Sequence, residues 1–321
     1  MKPLSANPGL TGLTAANTTL APPQRGAGSL RSEVQPSPLA NLAALVMVLT
    51  GISLANTILA LQNAWIAPPA PGYTSTSMTL GALGLALIWK GLRAGDAPGS
   101  ILGYMGGTLI WVGFFEWTWW SCSHWLGIQP LMVGGQPVLP PSLLLVQASS
   151  MIFLPLLLLT GTNKDTRCRM VLWFRRRMGL HMPRDAGHSH HAARVSATET
   201  VFIIWFVYLL NITLYDPRLL GRSVEVHHAA SIVIGVWALY LAVKLLRVPQ
   251  IGPAIRYAIP TAYFLSIPLD SMALAGWFPA MWVQPQTYPG FAWGALAVFT
   301  TAAVLLWRAD RHSSVAPRGA T

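Results

Sequence analysis

The hydrophobic positions of the sequence are gathered into eight long runs that polar segments separate. Each run holds about 17 to 23 mostly apolar residues, enough for a helix to cross a hydrocarbon layer of roughly 30 Å. The runs cover approximately residues 39–61, 77–93, 99–120, 142–161, 197–215, 229–246, 254–276 and 289–307. They are continuous and do not alternate as the strands of a membrane β-barrel do. The pattern predicts an all-α, polytopic integral membrane helix bundle with about eight transmembrane helices.

The composition is typical of a chain whose surroundings are mostly lipid. Of the 321 residues, 53% are hydrophobic and only 10% are charged, against roughly a quarter charged in a soluble domain. So few charges could not cover a globule of this size in water, which excludes an ordinary soluble enzyme. We predict a disordered N-terminal tail over residues 1–37, a transmembrane domain over 38–308 and a C-terminal tail over 309–321.

The basic residues are distributed unevenly among the segments between the runs. With a cytoplasmic N-terminus, every one of the 21 Lys and Arg except Arg218 and Arg222 falls on the inner side. Cytoplasmic loops carry an excess of Lys and Arg. The sequence therefore predicts a multi-pass protein of the cytoplasmic (inner) membrane with both termini in the cytoplasm. This orientation also accounts for the formal charge of +11 without a nucleic-acid partner.

The longest inner segment, residues 162–195, is basic and amphipathic. Its arginines are interleaved with apolar residues between positions 167 and 177, the composition of a helix that lies against anionic lipid headgroups. Docking of a cytoplasmic partner is the alternative interpretation. The histidine-rich run 187–191 could bind a metal weakly, but no cysteine or carboxylate at ligand spacing completes it.

Acidic and histidine side chains gather in the outer third of the predicted bundle. They come from four different helices and are Glu116, His124, Asp216, Glu225, His227, His228 and Asp270. An ionisable residue within a span costs at least about 2.5–3 kcal/mol, so it usually faces the bundle interior and often marks a site. We therefore predict one polar site beneath the outer surface, with Glu116 and Asp270 as its catalytic carboxylates.

The same cluster predicts a metal centre. Imidazole and carboxylate ligands suit Cu, Fe or Zn, and Glu225 and His228 lie on one face if their helix begins early. If the segment is extended instead, Glu225 shares a face with His227. We predict Glu225 and His228 as ligands of the metal, with the set completed by His227, His124 and Asp270.

Tryptophan is concentrated on the predicted outer side. Trp117 and Trp120 follow directly on Glu116 and are predicted to line an apolar substrate pocket beside its carboxyl group. The alternative is an aromatic belt at the level of the headgroups.

Several local motifs have structural interpretations. The Ser196-x-x-Glu199 spacing predicts a capping box that begins the fifth helix. Asp216 precedes Pro217 and is expected either to end that helix with an Asx turn or to pair with an external arginine. The glycines of the second and third runs are interpreted as packing residues that allow close approach of helices.

Three classes of function remain open on this evidence. The first is a metal-binding redox enzyme, resembling a monooxygenase in its logic, or a subunit of a membrane oxidoreductase. The second is a proton- or cation-coupled transporter of small solutes, for which the helix interruptions at Pro260 and Pro268 are the indication. The third is a non-catalytic subunit that packs against other membrane proteins. A haem protein with axial histidines is excluded, because no span interior contains a histidine.

Overall fold

The computed structural model describes residues 37–66, 68–161, 176, 177, 179 and 191–315. Within them the chain is all-α apart from one short hairpin. The helices are α1 Pro38–Trp65, α2 Pro71–Gly91, α3 Asp96–Ile110, α4 Glu116–Trp125, α5 Pro141–Ala148, α6 Ser150–Gly161, α7 Ala192–Tyr215, α8 Val224–Leu245, α9 Ile251–Leu274 and α10 Pro289–Val315. A π-helical turn, Trp111–Phe115, joins α3 to α4, and single turns of 3₁₀ helix are found at Leu220–Arg222 and Met281–Val283. The hairpin pairs β1 Leu131–Val133 with β2 Gln136–Leu139.

Four of these helices are long and apolar enough to cross a membrane. They are Pro38–Trp65, Ala192–Tyr215, Glu225–Leu245 and Pro289–Arg311. The fourth predicted run, 142–161, is divided into α5 and α6 at Ser149, whose hydroxyl donates to the Val146 carbonyl oxygen at 2.6 Å. The third predicted run continues through the π-helical turn into α4. The helical membrane class is thus confirmed at the level of four candidate spans.

The ends of the helices meet in two groups. In the first group, the amide of Asn41 near the start of α1 donates to the carbonyl oxygens of Leu246 and Val248 after α8, at 3.2 and 2.8 Å. This group also contains the ends of α2 and α10 and the starts of α3, α7 and α9. We call it the basic end, because it carries Lys90, Arg93, Arg194, Lys244, Arg247, Arg308 and Arg311.

The second group of helix ends carries the acidic residues of the predicted site. The Gln62 amide near the end of α1 donates to the carbonyl of Tyr73 and the hydroxyl of Ser77 near the start of α2, at 3.3 and 2.6 Å. His227 at the start of α8 contacts Leu214 at the end of α7. We call this region the acidic end, and it contains Asp216, Glu225 and Asp270.

Helices α3 and α7 pack closely through small side chains. A Cβ atom built on Gly103 would overlap the carbonyl oxygen of Ala193, and one on Gly107 would lie 2.8 Å from the carbonyl oxygen of Ala197. Gly99 faces Ala192 in the same row. Glycines spaced by four residues therefore let the backbones approach, as the sequence interpretation had it.

The predicted capping box at Ser196 and Glu199 is wrong. Helix α7 begins at Ala192, four residues before Ser196. Ser196 is fully buried and donates its hydroxyl to the carbonyl oxygen of Ser100 on α3 at 2.8 Å. The serine that the sequence predicts as a helix cap therefore forms a hydrogen bond between two helices.

A buried ion pair ties α9 to α3 at the basic end. The Arg256 guanidinium donates through Nη1 to Asp96 Oδ1 and to Ser100 Oγ, both at 2.7 Å. The Arg256 and Asp96 side chains are only 7% and 17% exposed. Asp96 is also the first residue of α3, where a negative charge is favoured by the helix dipole.

Several sequence predictions lie outside the described residues. They are residues 1–36 of the disordered tail, most of the basic amphipathic loop 162–195 with its expected contact to anionic headgroups, and residues 316–321 of the C-terminal tail.

Candidate functional site at the acidic end

Two histidines and a serine form the centre of the candidate site. Ser223 caps α8 by accepting from the amide of Val226 at 3.2 Å, so the helix begins at Val224. His227 Nδ1 lies 3.2 Å from the Leu214 carbonyl oxygen, and His227 Nε2 lies 3.1 Å from Ser271 Oγ on α9. His228 Nδ1 approaches the same Ser271 oxygen at 3.5 Å.

The partners of His227 determine the direction of these hydrogen bonds. A carbonyl oxygen only accepts, so His227 Nδ1 carries a hydrogen, and in the neutral ring Nε2 accepts from the Ser271 hydroxyl. The Ser271 oxygen then accepts from His228 Nδ1. In a neutral His228 with its hydrogen on Nδ1, the ring nitrogen that carries the lone pair is Nε2.

Asp270, the neighbour of Ser271 in the sequence, lies in a cleft next to this centre. The cleft has a volume of about 830 Å³ and is lined by residues of α1, α7, α9 and the segment that follows α9. Trp282 lines this cleft together with Asp270. Tyr215 lines the same cleft, and its ring centroid is 4.6 Å from that of His227.

The cleft combines one carboxylate with aromatic and uncharged polar walls. Its aromatic residues are Tyr215, Trp277, Phe278 and Trp282. Asn56 and Gln284 supply amide groups, and no Lys, Arg or His is among the lining residues of this described cleft. Its charge is therefore negative, and aromatic faces attract cations.

Glu116 occupies a separate aromatic environment. Its Oε1 accepts from the Tyr208 hydroxyl at 2.6 Å and from the Trp111 indole at 3.0 Å. The Trp111 ring stacks on Phe115 with centroids 4.9 Å apart. Glu116 follows the π-helical turn, and its amide donates to the carbonyl oxygen of Trp111, five residues earlier. Turns of this kind occur frequently at functional sites.

One face of α7 connects the two carboxylates. Tyr208, Asn211 and Tyr215 are spaced by three and four residues, so they share a face, and Tyr208 and Tyr215 are separated by about 10 Å along the axis. Tyr208 contacts Glu116, and Tyr215 lies beside Asp270. Asn211 lies between these two tyrosines on the helix. Its Oδ1 atom and the Tyr215 hydroxyl are both buried without a hydrogen-bond partner among the described residues.

Trp117, Trp120 and His124 lie on the surface between α4 and α2. The Trp117 indole donates to the hydroxyl of Thr74 at 3.0 Å. Trp120 packs against Tyr73 and stacks on His124 at 5.5 Å with an angle of 7° between the rings. His124 is exposed. These residues form an interhelical aromatic patch that is separate from the Asp270 cleft.

The predicted metal ligands do not all meet. Glu225 is exposed in the first turn of α8, while His227 and His228 turn to Ser271. No group of three or more His, Cys, Asp or Glu that could hold a metal ion is found among the described residues. Both ring nitrogens of His227 are engaged. The predicted Cu, Fe or Zn centre therefore stays a prediction.

Asp216 makes both of the interactions that its sequence context suggests. Its Oδ1 accepts from the Arg218 amide at 2.8 Å, which is an Asx turn, and its Oδ2 pairs with the Arg218 guanidinium at 2.7 Å. Gln147 donates to the same carboxylate at 3.0 Å. The hydrogen bond from Arg218 lowers the pKa of Asp216 from 3.8 to about 2. The Asp216 carboxylate therefore has a structural role, in which it links the end of α7 to α5.

The depressed pKa of Asp216 predicts a stability difference that depends on pH. A carboxyl group with a lowered folded-state pKa stabilises the fold above its unfolded-state value, and the effect is lost as the pH falls through the folded-state pKa. Arg218→Gln should therefore lower the melting temperature at pH 7, and the gap to the wild type should narrow between about pH 4 and pH 2. Thermal unfolding in an acid-resistant detergent measures this gap. A gap of constant size across that interval contradicts the assignment.

Sequence reasoning missed Ser271, Tyr208, Asn211 and Tyr215 as members of the site. The signal that could have found the α7 residues is their spacing, because polar groups at positions i, i+3 and i+7 of an apolar run mark one buried face. The sequence offered no such signal for Ser271. Its contact with both histidines joins positions more than 40 residues apart, with 44 between His227 and Ser271.

Comparison with known proteins adds no further information. No family model, no curated protein and no solved structure matches this chain.

Proposed function

We propose that the chain crosses the cytoplasmic membrane eight times and that its cleft at the acidic end binds a small organic cation for proton-coupled transport. The eight crossings are supported by the alternation of helix ends between the basic and acidic ends. Helices α5 and α6 together act as one crossing, since Gln147 contacts the end of α7 whereas Phe153 packs on Phe202, towards its start. The lysines and arginines of the basic end orient it to the cytoplasm.

The observation that carries the functional proposal is the composition of the Asp270 cleft. A single carboxylate is surrounded by aromatic rings and amides, with no basic side chain in the lining. An ammonium group is attracted both to the carboxylate and to the faces of the aromatic rings, and the attraction is largest where water is displaced. The cleft therefore fits an amine or quaternary ammonium better than an anion or a neutral sugar.

Coupling to protons follows from the groups around the carboxylate. When the cation leaves, Asp270 takes a proton in its place, so that no bare charge is left within the membrane region. Pro268, two residues before Asp270, removes a backbone hydrogen bond from α9 and provides a point at which the helix can bend.

The test uses the purified protein and tetramethylammonium as the probe. Asp270→Asn keeps the shape of the side chain and removes its charge, so we expect the affinity for the probe to fall by at least about tenfold. Glu225→Gln is the matched control, because Glu225 is an exposed acid at the same end, and its affinity should match the wild type. Equal affinity in Asp270→Asn and wild type would overturn the proposal.

Transport is measured separately from binding. Proteoliposomes that contain the wild type should accumulate labelled tetramethylammonium when a pH gradient is imposed, with proton movement in the opposite direction. Asp270→Asn should abolish this accumulation. Binding without any gradient-driven uptake would leave a cation-binding protein and refute the coupled carrier.

A second candidate retains the predicted redox enzyme with a metal centre. The observation in its favour is that two imidazoles converge on Ser271, the residue that follows Asp270. A neutral His228 with its hydrogen on Nδ1 carries a lone pair at Nε2, the form in which imidazole binds Cu, Fe or Zn. In this scheme Asp270 and His228 are ligands, and Glu116 relays protons. Metal analysis of the purified protein separates the candidates: stoichiometric metal that is lost in a His227→Ala/His228→Ala variant supports the metal centre, and its absence favours the carrier.

A further inference from the structure

A groove between α3 and α10 lies at the basic end, away from the Asp270 cleft. It has a volume of about 390 Å³ and is lined on one side by Ile101, Leu102 and Met105 of α3. The opposite wall is the face of α10 that runs from Phe299 to Arg311. Most of the lining is apolar, and its charged residues are Arg308 and Arg311 at one extremity.

The polar and apolar parts of the groove are arranged in sequence along α10. Phe299, Ala303 and Trp307 are four residues apart and follow one another up the same face. The Arg311 guanidinium lies over the Trp307 ring, 6.0 Å from its centroid. Asp310 is not part of the lining. The groove therefore begins in hydrocarbon-like surroundings and ends between two cations and an indole.

The length of the groove corresponds to one leaflet of a bilayer. From residue 299 to residue 311 a helix rises about 18 Å, and half of a hydrocarbon core of roughly 30 Å plus the edge of the headgroup layer is of the same order. The arginines belong to the basic end, where the phosphates of the cytoplasmic leaflet would lie in the proposed orientation. Basic pockets between helices at this level bind anionic headgroups.

We propose that this groove is a binding site for one anionic phospholipid. The phosphate pairs with Arg308 and Arg311, the Trp307 indole packs at the level of the glycerol, and one acyl chain lies against Ile101, Met105 and Phe299. Arg308 and Arg311 supply the charge complementarity, and the apolar wall supplies the preference for a lipid over a free phosphate ion. The site is independent of the Asp270 cleft and of what that cleft transports.

Native mass spectrometry of the detergent-solubilised protein tests the site. With an equimolar mixture of palmitoyl-oleoyl phosphatidylglycerol and phosphatidylcholine, we expect one phosphatidylglycerol to be retained preferentially. Arg308→Gln/Arg311→Gln should reduce this retention by about tenfold or more. The matched control is Lys244→Gln/Arg247→Gln, which removes the same charge from the same end outside the groove, and it should retain the lipid as the wild type does.

A second variant tests the apolar half of the groove. In Ala303→Phe, the larger side chain occupies part of the groove between α3 and α10. Phosphatidylglycerol binding should therefore fall although both arginines remain. Equal lipid loss in the two charge-removal variants would overturn the proposal, because it would show a general electrostatic attraction. Displacement of the lipid by millimolar inorganic phosphate, with no effect of Ala303→Phe, would also overturn it and assign the arginines to a phosphate site. Either result leaves the proposal for the Asp270 cleft untouched.

Discussion

Replacing Arg256 with glutamine should lower the free energy of unfolding by about 3–5 kcal/mol, the range measured when one partner of a buried ion pair is removed. The guanidinium is 7% exposed and donates to both Asp96 and Ser100. Its loss leaves the Asp96 carboxylate, only 17% exposed, without its cation. It also separates α9 from the α3–α7 contact that Ser100 and Ser196 make.

The measurement is denaturant unfolding in micelles, followed by the fluorescence of the tryptophans. The control is Arg247→Gln, an exposed arginine at the same end, whose effect should stay within about 0.5 kcal/mol. The double variant Asp96→Asn/Arg256→Gln should be more stable than the sum of the two single effects implies, since neither charge is left alone. An effect of Arg256→Gln no larger than that of Arg247→Gln would show that the pair does not stabilise the fold.

Gly103→Ala should cause the next largest loss of stability after Arg256→Gln. The added methyl group would overlap the backbone oxygen of Ala193 and lie 2.8 Å from Ser196 Cβ. A backbone group cannot rotate away as a flexible side chain does, so α3 and α7 must move apart. Overpacking of this kind costs typically about 1–3 kcal/mol, and the separation also weakens the hydrogen bond from Ser196 to Ser100.

Gly294→Ala provides the opposite control. A Cβ atom on Gly294 of α10 has nothing within 4 Å, and alanine is favoured over glycine inside a helix by about 1 kcal/mol. Thermal unfolding should therefore show a lower melting temperature for Gly103→Ala and an equal or higher one for Gly294→Ala. A Gly103→Ala protein as stable as wild type would mean that the α3–α7 contact is looser than described.

The apolar pattern was sufficient to predict the class of fold and most of the helices. The pattern failed where a contact with a residue distant in the sequence determines where a helix begins or ends. The break between α5 and α6 lies at Ser149, whose hydroxyl accepts from the indole of Trp205 at 2.9 Å, 56 positions away. Nothing in the run 142–161 itself contains that information. The position of Ser196 inside α7 has the same cause, because its partner is on α3.

The candidate site was predicted only in part, because contacts between distant residues also determine its geometry. The concentration of acids and histidines at one end could be inferred from helix direction, and His227 and His228 both contact Ser271, the residue that follows Asp270. Helical periodicity alone assigned Glu225 and His228 to one face, but the contact that orients both imidazoles is made by Ser271 on another helix. The Asp96–Arg256 pair was not foreseen, because its members are 160 positions apart.

The π-helical turn before Glu116 sets the rotation of everything that follows it. It holds one residue more than an α-helical turn, so α4 is turned by about 100° relative to an uninterrupted continuation of α3. That offset points Glu116 at Tyr208 and Trp111. Deleting one residue of this turn would rotate the Glu116 carboxyl group away from Tyr208 and place a different side chain there. The single π-helical turn therefore determines which side chain of α4 faces the interior.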